Sequence, residues 1–184
     1  MKPPGSLGRL EELGAWLASV AGRCPPPVPE RPAVLVCAGD HGVVAQGVSA
    51  WPAEVTAIMV GEFCADRAAV NALARTAGAS VSVLDVGVAA PLPRHPLLKA
   101  SKVRRGTADL AEGAAMTRNE AARAVLAGLD LAEQLTGAGA DLLVAGDMGV
   151  GNTTPAACLI GAFTGRPAEE VTGPGAGGDA AAVA

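Results

Sequence analysis

Asp141-Leu142-Leu143-Val144-Ala145-Gly146-Asp147-Met148-Gly149-Val150-Gly151-Asn152-Thr153-Thr154-Pro155 decides the fold. Asp141 to Ala145 is a short apolar run, as expected of a strand buried on both faces. Gly146 to Thr154 is a turn built from small residues. After it Thr153 or Thr154 is placed to cap a helix with Pro155 in its first turn, where a missing N–H costs nothing. Strand, glycine turn and helix in that order make the repeating half of an α/β fold.

Working back along the chain, Thr117-Arg118-Asn119-Glu120 has the T-x-x-E form of a capping box. The helix it opens carries Ala121, Val125, Leu129, Ala132 and Leu135 at helical spacing. Gly87 to Gly106 holds three prolines and reads as loop, with a short strand at Lys102 to Arg105. Ser80 to Val86 is a strand. Before it, Pro52 opens a helical stretch to about Ala77, interrupted near Gly61 and stopped by Gly78. Ala33 to Ala38 is a Val-rich buried strand that runs into the turn Gly39-Asp40-His41-Gly42. At the N-terminus Ser6 is placed to cap a helix with Leu7, Leu10, Leu13, Leu17 and Val20 on one stripe, ending at Gly22.

Residues 1–30 therefore read as a helix and a Pro-rich connector, and 31–184 as one α/β domain. Strands and helices alternating at this length predict a parallel sheet with helices on both faces, a Rossmann-like three-layer arrangement with right-handed crossovers. In such sheets ligands sit beyond the carboxyl ends of the strands. Both Asp40-His41 and the turn from Gly146 to Thr154 fall at that edge. Glu169 to Gly178 holds a second glycine-rich turn, and Asp179 begins an alanine run that stops within about one helical turn, so the domain reads as truncated at its C-terminus.

Half of the 184 residues are hydrophobic, only 2% are aromatic, and 24 are glycine, so packing falls to Ala, Val and Leu and to close backbone approach. A net charge of -4 excludes a broad electrostatic footprint for nucleic acid or an anionic membrane. The longest uncharged stretch, Met148 to Gly165, is too broken by Asn, Thr, Pro and Gly to span a bilayer. Cys24, Cys37, Cys64 and Cys158 are widely spaced and form no metal-ligand pattern, as expected of reduced cytosolic thiols.

Three features carry chemistry. Glycine-freed N–H groups at a helix N-terminus bind phosphate or carboxylate. From the residues alone the Gly146 to Thr154 turn is either such a nest or a tight capped turn; it is neither a Walker A nor a dinucleotide fingerprint. Asp147 is either an electrostatic partner for a sugar or developing cation, or a solvated turn carboxylate. Asp40 and His41 make either an acid/base pair or an Asx-type turn beside a partly buried histidine. His95, next to Pro96, has no evident partner.

Four segments together resemble the nicotinate-nucleotide:dimethylbenzimidazole phosphoribosyltransferase family: Lys2-Pro3-Pro4-Gly5-Ser6-Leu7-Gly8-Arg9-Leu10-Glu11, Ala38 to Val43, Gly106 to Thr117, and Gly146 to Ala157. The resemblance implies transfer of 5-phosphoribosyl from nicotinate mononucleotide to 5,6-dimethylbenzimidazole, giving α-ribazole 5′-phosphate and nicotinate, without cofactor or metal, in a homodimer. It implies that Gly146, Gly149, Gly151, Asn152, Thr153 and Thr154, with Gly173, Gly175 and Gly177, hold the nucleotide phosphate and ribose. Asp147, where the family usually has glutamate, is the implied electrostatic group, its charge drawn back by one methylene. The turn of Asp40, His41 and Gly42 and the segment near Ser49 to Pro52, Ser49 above all, would line the benzimidazole side. The family's general-base glutamate lies near its C-terminus and maps to no residue here. Pro174 removes one N–H donor from the second glycine turn. A catalytically silent nucleotide-binding module of the same family is the alternative that this departure raises.

Overall fold

The computed structural model describes residues 3–176. The chain divides into two compact units, Met1–Glu30 and Arg31–Ala184. In the first, helix α1 (Arg9–Ala21) starts later than the Ser6 cap predicts. The cap position is Gly8 at φ 54°, and the carboxylate of Glu11 accepts from the amides of Gly5 and Leu7, each at 3.1 Å. That carboxylate stabilises a preceding turn, so Ser6 and Leu7 stay outside the helix. Gly22 closes α1 in the left-handed conformation that glycine adopts without penalty.

The second unit is built on a four-stranded, all-parallel sheet: β1 (Pro32–Gly39), β2 (Ser80–Gly87), β3 (Leu98–Ala100) and β4 (Leu142–Met148), in the order β3-β2-β1-β4. Helices cover both faces, as the alternation of elements predicts. Side chains alternate across a strand, so Val34, Val36 and Ala38 of β1 face one way and Leu35 and Cys37 the other. The first set meets Val83, Val88, Val60, Phe63 and Ala74 from β2 and from helices α2 (Val55–Cys64) and α3 (Ala69–Ala77). The second meets Leu84 and Leu131, flanked by Ala127 and Leu135, beneath helix α4 (Arg118–Gly137). Burying each of the fully buried valine and leucine side chains among these contributes about 1.5–3 kcal/mol.

Several boundaries differ from expectation, each for a local reason. The long stretch from Pro52 breaks at residues 65–68, not at Gly61, because Asp66 takes φ 60° and Asn71 reaches back with its Nδ2 to the carbonyl of Phe63 at 3.0 Å. Gly61 sits inside α2 with open space beside it. No strand forms at Lys102 to Arg105; the third strand is Leu98–Ala100. Lys102 is instead drawn inward, its ammonium 3.2 Å from the buried Asp85 carboxylate and donating to the carbonyls of Val88 and Ala90. β4 continues past Ala145 to Met148, so Gly146 and Asp147 lie in the strand. Helix α5 (Thr153–Thr164) is preceded by Asn152, and neither threonine caps it. A single-turn helix, α6 (Ala168–Val171), follows. The expected helix start at Asp179, like Gly177, lies outside the described residues.

Candidate active site at the carboxyl edge of the sheet

β1 ends in Gly39, and Asp40 and His41 are held there by a set of backbone contacts. Asp40 donates its amide to Gly87 O (3.0 Å), accepts from the Thr107 amide at its carbonyl (2.9 Å) and from the Ala89 amide at Oδ2 (2.7 Å). Its other oxygen, Oδ1, and Nε2 of His41 are buried with no hydrogen-bond partner among the described residues. A buried acceptor left bare is costly, so the pair marks a place for a polar guest. Gly42 packs so closely on the 107–109 segment that a Cβ would stand 2.5 Å from the Ala108 carbonyl carbon. It is followed by a 3-10 turn, Gly42–Gln46.

The β4 end meets the β1 end directly. A Cβ on Gly149 would strike the Gly39 carbonyl oxygen and stand 2.8 Å from His41 Nε2. Only glycine permits that approach. Gly151 takes φ 76°. The Val150 amide is anchored on α2 through Thr56 Oγ1 at 3.0 Å, and the amides of Asn152 and Thr154 close the turn on Gly149 and Gly151 carbonyls. Near the N-terminus of α5 the amides of Gly151 and Thr153 have no protein acceptor among the described residues, and Pro155 contributes no donor. Aligned dipoles make such a terminus attractive to an anion. Gly175 lies beside it, since its Cβ would stand 3.0 Å from Thr153 Oγ1.

These residues line two separate cavities, because adjacent strand residues point to opposite faces. Met148 pairs with Ala38 and faces α2; Asp147 pairs with Cys37 and faces α4. The larger cavity, about 540 Å³, is lined by Ser49, Trp51, Val55, Met59, Met148, Gly149, Val150, Gly151, Asn152, Thr153 and Ala176. The smaller, about 150 Å³, holds Cys37, Asp40, His41, Arg104, Thr107, Met116 and Asp147 among its walls. The structure thus brings Ser49 to the glycine turn and separates it from Asp40 and His41. Asn152 links the two: its Nδ2 donates to Asp147 Oδ2 at 3.0 Å. Gly146 lies against Val36 inside the sheet, Thr154 lies on the far side of the α5 terminus in a third cavity with Cys158 and Arg166, and Gly173 lines none of these three.

Burial lowers the pKa of His41 against the opposing pull of Asp147 and Asp40, so the ring is neutral near pH 7. Burial, helped by Asp147, raises that of the Cys37 thiol, which is therefore protonated and a poor nucleophile. Among the described residues no group of three His, Cys, Asp or Glu side chains is arranged to hold a metal ion.

Sequence reasoning missed Met59, and it reached Trp51 and Met148 only as members of the Ser49 to Pro52 and Gly146 to Thr154 segments. One aromatic face and two polarizable thioethers can pack a flat ring beside the free amides of a helix N-terminus. The segment Val48 to Pro52 did carry a signal: an isolated tryptophan in a chain with only 2% aromatics, directly before a helix start.

A family model for phosphoribosyltransferases, DBI_PRT, matches residues 1–184. The chain belongs to this family. A nicotinate-nucleotide–dimethylbenzimidazole phosphoribosyltransferase of Salinispora tropica is 53% identical over 192 residues, covering 97% of this chain and 53% of that protein. The enzyme of the same name from Deinococcus radiodurans is 53% identical over 184 residues, covering 97% and 50%. The crystal structure of CobT from Thermus thermophilus superposes with a TM-score of 0.94 at 52% identity, over 100% of this chain and 55% of that one. The chain spans about half the length of the curated relatives it matches. The match to the solved relative takes in the whole of this chain, the glycine turn included.

Proposed function

We propose that this chain carries the nucleotide- and base-binding part of a phosphoribosyltransferase that moves 5-phosphoribosyl from nicotinate mononucleotide to 5,6-dimethylbenzimidazole, releasing nicotinate and forming α-ribazole 5′-phosphate. The observation that carries the reading is the larger cavity, where an α5 terminus with free amides meets Trp51, Met59 and Met148. The names of relatives at 53% identity support the same substrates.

In this reading the phosphate lies on Gly149, Gly151 and Thr153, near Gly173 and Gly175, and the aromatic ring lies against Trp51. The glycosidic bond breaks toward a ribosyl oxocarbenium while nicotinate leaves with a neutral ring nitrogen, and the acceptor nitrogen attacks the opposite face with inversion. The work of the protein is positioning and charge stabilisation. Asp147 contributes from the α4 side, where it holds Asn152 at the lip of the cavity. Asp40 Oδ1 and neutral His41 offer acceptors to hydroxyl or N–H groups of the bound molecules. The proton that the acceptor base loses needs a base outside this set.

That last requirement favours a second reading on a specific observation: the chain spans about half of its relatives, and among the described residues no carboxylate lines the larger cavity. On this reading the chain binds nucleotide without turnover. Mixing it with nicotinate mononucleotide and dimethylbenzimidazole and measuring released nicotinate separates the two; release at a rate above the uncatalysed one selects the enzyme, and none selects the silent module. A cytoplasmic homodimer is part of the proposal. No helix among the described residues is long and apolar enough to cross a membrane.

A further inference from the structure

We infer that ordered water in the smaller cavity joins Asp40 Oδ1 to His41 Nε2, and that His41 is a positioning residue which sets Asp147 and, through it, the Asn152 amide at the lip of the larger cavity. Only the effect on mononucleotide affinity rests on the substrate reading above.

Asp40 is 9% exposed, and the Ala89 amide donates to its Oδ2. Oδ1 and His41 Nε2 are buried without partners among the described residues, and both residues line the same cavity of about 150 Å³. A carboxylate oxygen only accepts, whereas an imidazole nitrogen donates or accepts according to tautomer, so the group between them must donate to one and do either at the other. Water does both, and this cavity is far larger than the roughly 10–15 Å³ that one water needs. The Thr107 hydroxyl, an acceptor for the Gly42 amide at 3.1 Å, lines the cavity as a further partner. A hydroxyl or N–H of a bound molecule can later take the water's place.

A Cβ on Gly149 would stand 2.8 Å from His41 Nε2 and 3.0 Å from Cδ2, so this edge of the ring lies against the turn. The charged and titratable groups that share its cavity are Asp147 from β4, Cys37 from β1, Asp40 from its own segment and Arg104 from the loop after β3, the last 3.5 Å from Glu120 of α4. Asp147 pulls on the ring more strongly than Asp40 does, against the burial that keeps it neutral. Asp147 Oδ2 meanwhile accepts from Asn152 Nδ2 at 3.0 Å. A neutral ring leaves that carboxylate to Asn152. A protonated ring competes for it, since hydrogen bonds between two charged groups are the stronger ones, and Asn152 is released.

Nitrogen-15 spectra of the 184-residue chain, followed from neutral pH down to acid unfolding, test this without any ligand. The Asn152 side-chain amide signals are expected to move with the midpoint of the His41 ring, to within about 0.3 pH unit. Asp40→Asn removes a negative charge beside the ring and should lower that midpoint by about 0.5 unit or more. In His41→Gln the Asn152 signals should stay flat across the same range. Asn152 signals that stay flat in the parent while His41 titrates overturn the inference, as do signals that move equally in His41→Gln, or a ring that never titrates before unfolding. The parent titration needs no variant and decides even where a variant fails to fold. A crystal structure that orders solvent should show water within about 3.2 Å of both Oδ1 and Nε2, and direct contact between the two side chains would overturn the bridge. For affinity, the phosphate of nicotinate mononucleotide titrates alike with either protein, so the ratio of parent to His41→Gln dissociation constants isolates the ring. That ratio should rise about 3-fold or more as pH falls through the His41 midpoint, and a constant ratio overturns the inference. Absence of binding to both proteins fails the substrate reading alone, the spectra then deciding the role of His41.

Discussion

Gly149 is where the two halves of the site meet, and the space for a single hydrogen there decides whether they can. Adding a methyl group forces β4 away from the Gly39 carbonyl and the His41 ring. Gly149→Ala is expected to cost about 1–3 kcal/mol of stability, read as a lower urea midpoint at unchanged slope. Asn152 acts differently: its bond to Asp147 is exposed, so stability should hardly move, while removing that contact frees the lip of the cavity. Asn152→Ala is expected to weaken mononucleotide binding about 3- to 10-fold by equilibrium titration, the worth of one hydrogen bond. Asp147→Ala should reproduce most of that loss; an unaltered affinity in both variants would remove Asp147 from the site. Glycine spacing made this turn legible in the sequence. The two-cavity arrangement was not, because the face a strand residue takes depends on register against β1, and a strand end misjudged by three residues hides it.

Among the elements, α4 was the most legible, since a capping box is a local device. Thr117 Oγ1 accepts from the Glu120 amide at 3.2 Å, and the Glu120 carboxylate accepts from the Thr117 amide at 2.8 Å. Thr117→Ala is expected to destabilise the domain by about 0.5–2 kcal/mol in chemical denaturation. The Gly78 stop and the start of β2 were legible for the same reason. β3 was not: three residues beside prolines carry no period, and Lys102 looked like strand surface when it in fact reaches the buried Asp85, 4% exposed. Lys102→Met leaves that carboxylate buried without its cation and is expected to cost about 3–5 kcal/mol, enough to lower soluble yield sharply. A variant as stable as the parent would show that Asp85 does not depend on the pair. The break between α2 and α3 was expected near Gly61 and falls a turn later, because Asp66 in a left-handed conformation has no strong sequence signal.

For the whole molecule, pH dependence follows from His41. Its pKa lies below the ordinary 6.5, so the unfolded chain binds a proton that the folded one resists. The stability due to neutral His41 is present above pH 6.5 and is lost as pH falls through the folded value, with a slope of at most about 1.4 kcal/mol per pH unit. Glu62 and Glu120, both lowered by their hydrogen bonds, keep their stabilising contribution above their ordinary 4.5 and lose it only as pH falls below that. Between pH 6.5 and 5 the loss should therefore flatten in His41→Gln, and an identical slope in the variant would contradict the assignment. The exposed apolar surface of β4 and α5 also predicts concentration-dependent association of the isolated chain, which a clean monomer in sedimentation velocity would refute.

What ties these scales together is the proposal that backbone amides beside Trp51 hold an anion, and calorimetric titration of nicotinate mononucleotide into the 184-residue chain and into Gly149→Ala tests it most directly. Saturable heat at one site per chain, abolished or at least about 10-fold weaker in the variant, is the predicted result. No heat in the parent chain, or equal affinity in both, would contradict it.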